Sequence, residues 1–172
     1  MKKILIILLF TTVTIFALNI GEAPKNITLS GDNGGRVDGS VWHSNMLKDK
    51  VYLLFYVDPD KKDDNEAFID ALHAKNYDKK KYGSVAILNL KATWLPNFAI
   101  EEKLESKQKE FPNTVYVIDK TKYLVQEWAL ADNASNVILF DKKGNIIYQY
   151  VGEIKDDEMQ KIFALIEDNL NK

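Results

Sequence analysis

Seven uninterrupted apolar residues, Val51–Val57 (VYLLFYV), constrain this chain more than any other feature. Successive side chains of a strand point to opposite faces, so a run that is apolar at every position needs cover on both sides. That requirement places 51–57 at the centre of a sheet. Ser84–Leu90 (SVAILNL) reads the same way, and Thr114–Asp119, Val137–Asp141 and Ile146–Val151 are further strands. Lys143-Gly144-Asn145 is short enough to join the last two as a hairpin. Between the first two strands, Ala67, Phe68, Ala71 and Leu72 share one helical face, and Asp63-x-x-Glu66 predicts a capping box at its start. Phe98–Phe111 reads as a charged helix with Ile100, Leu104 and Phe111 inward and Glu105–Lys109 as a supporting pair. A closing helix over Asp157–Leu170 carries the stripe Met159, Ile162, Phe163, Ile166 and Leu170, with Asp157-x-x-Gln160 as its cap.

The order strand–helix–strand–helix–strand, then a strand hairpin and a helix, predicts an α/β fold. Its parallel strands need right-handed crossovers, its hairpin gives an antiparallel edge, and helices cover both faces of the mixed sheet. Upstream, residues 22–50 read as an N-terminal strand and hairpin extension. Ile27–Ser30 is a strand, and Asn33-Gly34 is the turn of a hairpin within Gly31–Gly39. That segment has four glycines but lacks the Lys-Ser/Thr ending of a phosphate loop. At 172 residues the chain fits one domain of about 100–200 residues.

Composition removes several functions. There is no cysteine, which excludes disulfides, thiol redox chemistry, a cysteine nucleophile and cysteine-ligated zinc. Arg36 is the only arginine and the net charge is −2, a poor footprint for nucleic acid. Residues 1–17 read as a secretory signal: Lys2 and Lys3, an apolar core over Ile4–Phe10, and Ala17 as the cleavage position. The stretch falls short of the roughly 20 residues a membrane span needs, although an uncleaved anchor is the competing reading. Cleavage leaves 18–172 as a single domain, exported to the periplasm, with no stable span.

The local words bring a family into view. Gly21-Glu22-Ala23-Pro24, Leu47–Tyr56, Phe111-Pro112 ahead of the strand ending at Asp119, and Ile138–Ile146 with Gly152 behind it resemble exported thioredoxin-like proteins. The central strand with Asn65 after it, Trp128-Ala129-Leu130 and Val137–Gly144 resemble most closely the YtfJ family, small exported thioredoxin-like proteins without the redox cysteines. The resemblance implies a thioredoxin-like fold and no established reaction. Where thioredoxin-like redox enzymes carry W-C-x-x-C, this chain has Asp58-Pro59-Asp60-Lys61-Lys62-Asp63-Asp64, with Asp60 and Asp63 near the cysteine positions. Their cis-proline maps to Ser135. A carboxylate cannot attack a disulfide, so thiol–disulfide exchange is lost.

The acidic loop 58–66 lies at the C-terminal end of a central strand, where open α/β sheets bind ligands. Clustered carboxylates suit Ca²⁺ or Mg²⁺, but Asp63 and Glu66 have a capping role and the ligand spacing of an EF-hand is absent. His43 and His73 are the only histidines, too far apart in sequence for a local metal motif, and they read as structural or surface residues. No G-x-S-x-G elbow is present. Trp94 and Phe98, in and after a loop that follows a central strand, are either contact aromatics or caps on the sheet end. Trp42, Trp128, Tyr148 and Tyr150 are the other candidate contact aromatics. Ser135 and its neighbours Asn133 and Asn136 line a polar turn or cap its backbone.

The expectation is a redox-inactive binding module without a cofactor or catalytic residue. Asp58, Asp60, Trp94, Phe98, Asn133 and Ser135 would hold an exported protein or a small ligand. The alternative is a cysteine-independent enzyme or divalent-metal binder using the acidic loop.

Overall fold

The computed structural model describes residues 18–172; the expected signal segment, 1–17, lies outside the described residues. Eight strands and four helices follow in chain order: β1 (Thr28–Leu29), β2 (Gly34–Arg36), β3 (Trp42–His43), β4 (Val51–Val57), α1 (Glu66–Ala74), β5 (Tyr82–Asn89), α2 (Asn97–Glu110), β6 (Thr114–Asp119), α3 (Tyr123–Trp128), β7 (Ser135–Phe140), β8 (Ile146–Val151) and α4 (Asp156–Leu170). A six-stranded sheet has the order β2-β6-β5-β4-β7-β8. β4, β5 and β6 run parallel, while β7, β8 and β2 are antiparallel to their neighbours.

The central run behaves as its composition demands. Leu54 and Tyr56 of β4 pack with Val85, Ile87, Val117, Ile138 and Phe140 on one face. Val51, Leu53 and Phe55 pack with Val137 and Leu139 on the other. α1 and α4 cover this second face through Phe68, Leu72, Ile162, Phe163 and Ile166. α2 continues the cover over β5 and β6 with Ile100 and Leu104 against Leu90 and Ile118. The first face is closed by α3, through Leu124 and Trp128, and by Ile27, Leu29 and Trp42 of the extension.

Two local expectations are corrected, the Asn33-Gly34 hairpin and the capping boxes, and one helix is added. Asn33-Gly34 is not a hairpin turn. Instead β1 pairs with β3 in a separate two-stranded sheet, and Gly34 opens β2, the strand that pairs with β6. Gly34 has φ +120°, and a Cβ there would lie 1.9 Å from the Ile118 carbonyl oxygen, so only glycine lets the two backbones meet. Neither predicted capping box forms. Helix α1 starts after Asn65 and α4 after Lys155, both without a side-chain cap. The Asp63 carboxylate pairs with Lys62 instead. Helix α3 has no counterpart in the sequence reading. It is flanked by Lys122 and Ala129, both in the left-handed region without being glycine, so the usual stop signal is missing. In α2, Lys107 pairs with Glu110.

Candidate functional site

Among the described residues, six of the eight buried polar ones lie at the ends of β4, β5 and β6, just before α1, and at the start of β7: Asp58, Asn65, Asn89, Asp119, Ser135 and Asn136. This is the C-terminal end of the parallel strands. Parallel strands end there with unpaired backbone groups, and buried polar groups must find partners.

Asp119, with no exposure, is one hub. Its carboxylate accepts from Thr121 N (3.1 Å), Tyr123 N (2.8 Å) and Leu124 N (3.0 Å), satisfying the first turn of α3, and from the Tyr56 hydroxyl (3.1 Å). Burial, and then the neighbouring Asp119 charge, push the Tyr56 phenol far up from its ordinary value, so it stays a donor. Asn65 is the second hub. Its amide donates to Ser135 Oγ (2.7 Å) and to the Gly152 carbonyl (3.2 Å), and its Oδ1 accepts from Ile154 N (2.7 Å). The residue before α1 is thereby locked to the start of β7 and to the turn after β8. Asn136 forms a third, accepting from Ala131 N and donating to the carbonyls of Ala131 and Tyr56.

The candidate residues fall into two groups on this frame. Asp58 and Ser135 are buried, at 4% and 1% exposure. Asp58 caps the short 3-10 turn over Pro59–Lys61 by accepting from Asp60 N at 2.8 Å, and its own N–H reaches the Ala134 carbonyl at 3.1 Å. Burial raises the Asp58 carboxyl above its ordinary value, with the Asp60 N–H pulling the other way. Asp60, Asn133, Trp94 and Phe98 face solvent. Asp60 accepts from the Thr93 hydroxyl at 2.9 Å, which ties the 58–64 loop to the stem of the Trp94 loop. The same hydroxyl accepts from Leu95 N at 3.2 Å, so Trp94 is held between two fixed neighbours. Asn133 occupies a left-handed turn at φ +53°. Loops 58–64, 90–96 and 131–134 are thus joined at one end of the sheet.

Trp94 is 85% exposed and Phe98 71%, whereas Trp42 and Trp128 are core residues. Trp128 also donates its ring N–H to the Lys25 carbonyl at 2.8 Å. Of the other aromatics singled out, Tyr148 is buried and Tyr150 half-buried. His43 bonds the Thr28 hydroxyl at 2.8 Å, and His73 stacks on Phe111 with ring centroids 4.3 Å apart. Among the described residues no group of three or more His, Cys, Asp or Glu converges as a metal site. Every described peptide bond is trans, including the one into Ser135. Cavities of ≈110 Å³ and ≈220 Å³ are lined by other parts of the chain, none of it from 58–66, 93–98 or 133–136. No described helix is long and apolar enough to cross a membrane.

Asn136 caps the backbone of its loop at Ala131, as the polar turn suggested, but sequence reasoning did not find the hubs Asn65 and Asp119 or the Asn89 amide that donates to the Asp132 carboxylate at 3.1 Å. The hubs' partners are far apart in the chain: Asn65 and Ser135 are separated by 70 positions and Tyr56 and Asp119 by 63. The available signal was the run of polar residues at strand ends, Asn89 and Asp119 among them.

Comparison with known proteins agrees with this architecture. A family model described as a bacterial protein of unknown function, YtfJ_HI0045, matches residues 22–169. The uncharacterized protein YtfJ of Escherichia coli (strain K12) is 24% identical over 131 residues, covering 74% of this chain and 71% of that protein. An uncharacterized protein of Haemophilus influenzae is 23% identical over 128 residues, covering 73% and 70%. Among solved structures, a thiol-disulfide isomerase from Corynebacterium glutamicum superposes with a TM-score of 0.60 at 16% identity, covering 85% of this chain and 97% of that one. The fold is thioredoxin-like, and the chain carries it without a cysteine.

Proposed function

The chain belongs to the YtfJ_HI0045 family of bacterial proteins, and from that premise we propose that it is an exported, redox-inactive binding module. It holds a protein or a small ligand with the loops 58–66, 93–98 and 133–136. The observation that carries this reading is the pair Trp94 and Phe98, 85% and 71% exposed, the first on a loop whose stem is pinned by Thr93 and Asp60 and the second in the first turn of α2 that follows it. A large apolar ring held in water on a rigid support gains by being covered, and tryptophan is the residue most enriched where partners meet. The polar groups beneath it are engaged in hydrogen bonds that hold the loops, which supports a surface that binds over one that reacts. Export is supported by the pattern of residues 1–17, with Lys2, Lys3 and the apolar core behind them.

The test is chemical cross-linking in intact cells of a tagged chain and of its Trp94→Ala/Phe98→Ala variant. A partner captured by the parent and lost by the folded variant supports the reading. Equal capture by both would place the binding surface elsewhere.

A further inference from the structure

Edge strands offer a row of unpaired backbone groups, and soluble proteins usually blunt them with charge, proline or a cover. The two edges of this sheet differ. At one, the chain around β2 folds back on itself, with Arg36 N bonded to the Ser40 carbonyl at 2.9 Å. At the other lies β8, Ile146–Val151 (IIYQYV), which has no charged residue and no proline.

The register shows which groups of β8 are free. Gly152 N donates to the Ser135 carbonyl, and hydrogen-bonded pairs alternate along an antiparallel ladder. Tyr150 opposite Val137 and Tyr148 opposite Leu139 are therefore the bonded pairs. Gln149 and Val151, opposite Ile138 and Asn136, turn their N–H and C=O groups away from the sheet. β7 confirms the phase, because Asp58 N bonds the Ala134 carbonyl, which puts Asn136 and Ile138 in bonded pairs with β4. Ile146 also faces outward, but Gly21 N and the Glu22 carbonyl already bond its two backbone groups. Among the described residues nothing pairs with the open groups of 149–151, where Val151 is 54% exposed.

We propose that β8 pairs edge to edge with β8 of a second copy of this chain, antiparallel about a two-fold axis passing at Tyr150. That register is selected by the backbone. It sets Gln149 of each copy opposite Val151 of the other as hydrogen-bonded pairs, so every open N–H and C=O of these two residues finds a partner. Registers centred on Gln149 or on Val151 satisfy fewer of them. Ile146, already capped, falls opposite residue 154 of the second copy, beyond the end of its β8, so the Gly21–Glu22 cover stays in place. The strand has no charge, so no like charges oppose each other, and a self-complementary contact closes at two copies. The surface is separate from the loops of the binding reading and does not depend on it.

The register makes a specific test available, because the chain has no cysteine. Tyr150 faces its own copy at a non-hydrogen-bonded position, where Cα atoms lie about 4.5 Å apart, within the range a disulfide spans. Under mild oxidation the Tyr150→Cys variant should convert to a disulfide-linked dimer, whereas Asp70→Cys, on the exposed side of α1, should not. Without oxidation, the sedimenting mass of the parent protein should double across a concentration series. Gln149→Pro should stay at monomer mass with its circular dichroism unchanged, since the Gln149 N–H serves no bond within the sheet. A parent that remains monomeric throughout the series overturns the proposal, as does a dimer that Gln149→Pro leaves intact while Tyr150→Cys fails to cross-link. Monomeric protein with slow amide exchange at Gln149 and Val151 would show the edge covered from within one copy, and would overturn the second-copy pairing too.

Discussion

The two ends of the sheet use the same kinds of side chain in opposite ways. At the C-terminal end of β4, β5 and β6 the polar groups are inside: Asp119, Asn65 and Asn136 are buried and bonded, and the large aromatics Trp94 and Phe98 stand in solvent. At the other end the aromatics turn inward. Tyr77, Tyr82 and Phe111, each half-buried, line the ≈220 Å³ cavity between the ends of α1 and α2, and Tyr82 has a buried hydroxyl with no hydrogen-bond partner among the described residues. Tyr77 and Tyr82 pack ring against ring at 5.2 Å. The first end is a rigid polar frame that displays apolar surface. The second is an apolar packing site with a polar rim.

The largest effect that could break this comparison is the loss of a hub. Asp119→Ala leaves the Tyr56 hydroxyl and three backbone N–H groups without their acceptor, and it should cost about 3 kcal/mol or more in a urea titration. Asn65→Ala should cost about 2 kcal/mol by the same measurement, because Ile154 N and Ser135 lose one partner each. If either variant melts like the parent, the buried network is not what fixes the loops.

At the opposite end the sign should reverse. Tyr82→Phe removes a buried hydroxyl that bonds nothing among the described residues, so stability should hold or rise by up to about 1 kcal/mol. A loss larger than that would reveal a partner for the hydroxyl. Trp94→Ala with Phe98→Ala should change the urea midpoint little, by within about 0.5 kcal/mol, because both side chains already stand in water.

The smallest effects are electrostatic and separate two carboxylates of the same end. The Asp58 carboxyl is raised by burial, so between pH 3.8 and its higher folded value the native state holds a proton the unfolded chain has lost. Its ionisation lowers stability as pH rises from the ordinary value of 3.8 through the folded value. Asp58→Asn should therefore be slightly more stable than the parent at neutral pH, and the gap should close on acidification. Asp132 is the reverse. The Lys122 ammonium, 2.6 Å from its carboxylate, holds its pKa below 3.8, so its contribution is full above that value and fades as pH falls through the lower, folded one. Removing the charge with Lys122→Met should cost stability at neutral pH and nothing in strong acid. Melting both variants across the acid range checks both signs.

What the sequence made legible follows from the range of the forces involved. Val51–Val57 coincides with β4 because a strand covered on both faces must be apolar along its own length, and Thr114–Asp119 and Ile146–Val151 coincide with β6 and β8 through their β-branched and aromatic residues between turn signals. The closing helix could be read from its stripe, of which Ile162, Phe163 and Ile166 are buried. Gly34 was misread because Asn-Gly is a local hairpin word, whereas its role is set by contact with Ile118, distant in the chain. Asp63 was misread as a cap because the spacing Asp63-x-x-Glu66 is a local word, whereas α1 starts after Asn65 with no side-chain cap and the Asp63 carboxylate pairs with Lys62. Trp94 and Phe98 were ambiguous between core and contact, since a tryptophan beside a strand end serves either purpose; only the path of the 90–96 loop separates them from Trp128. The site's hubs were the least legible part, because Asn65 and Asp119 act through partners that the fold supplies.

The central claim is that this thioredoxin-like chain works by presenting the Trp94 end. It is tested most directly by placing a photo-cross-linking residue at position 94, and in a second variant at exposed His73 on the opposite end, and irradiating intact cells. The account expects a discrete cross-linked product from position 94 that position 73 does not give. A product from position 73 alone, or the same products from both, would contradict it.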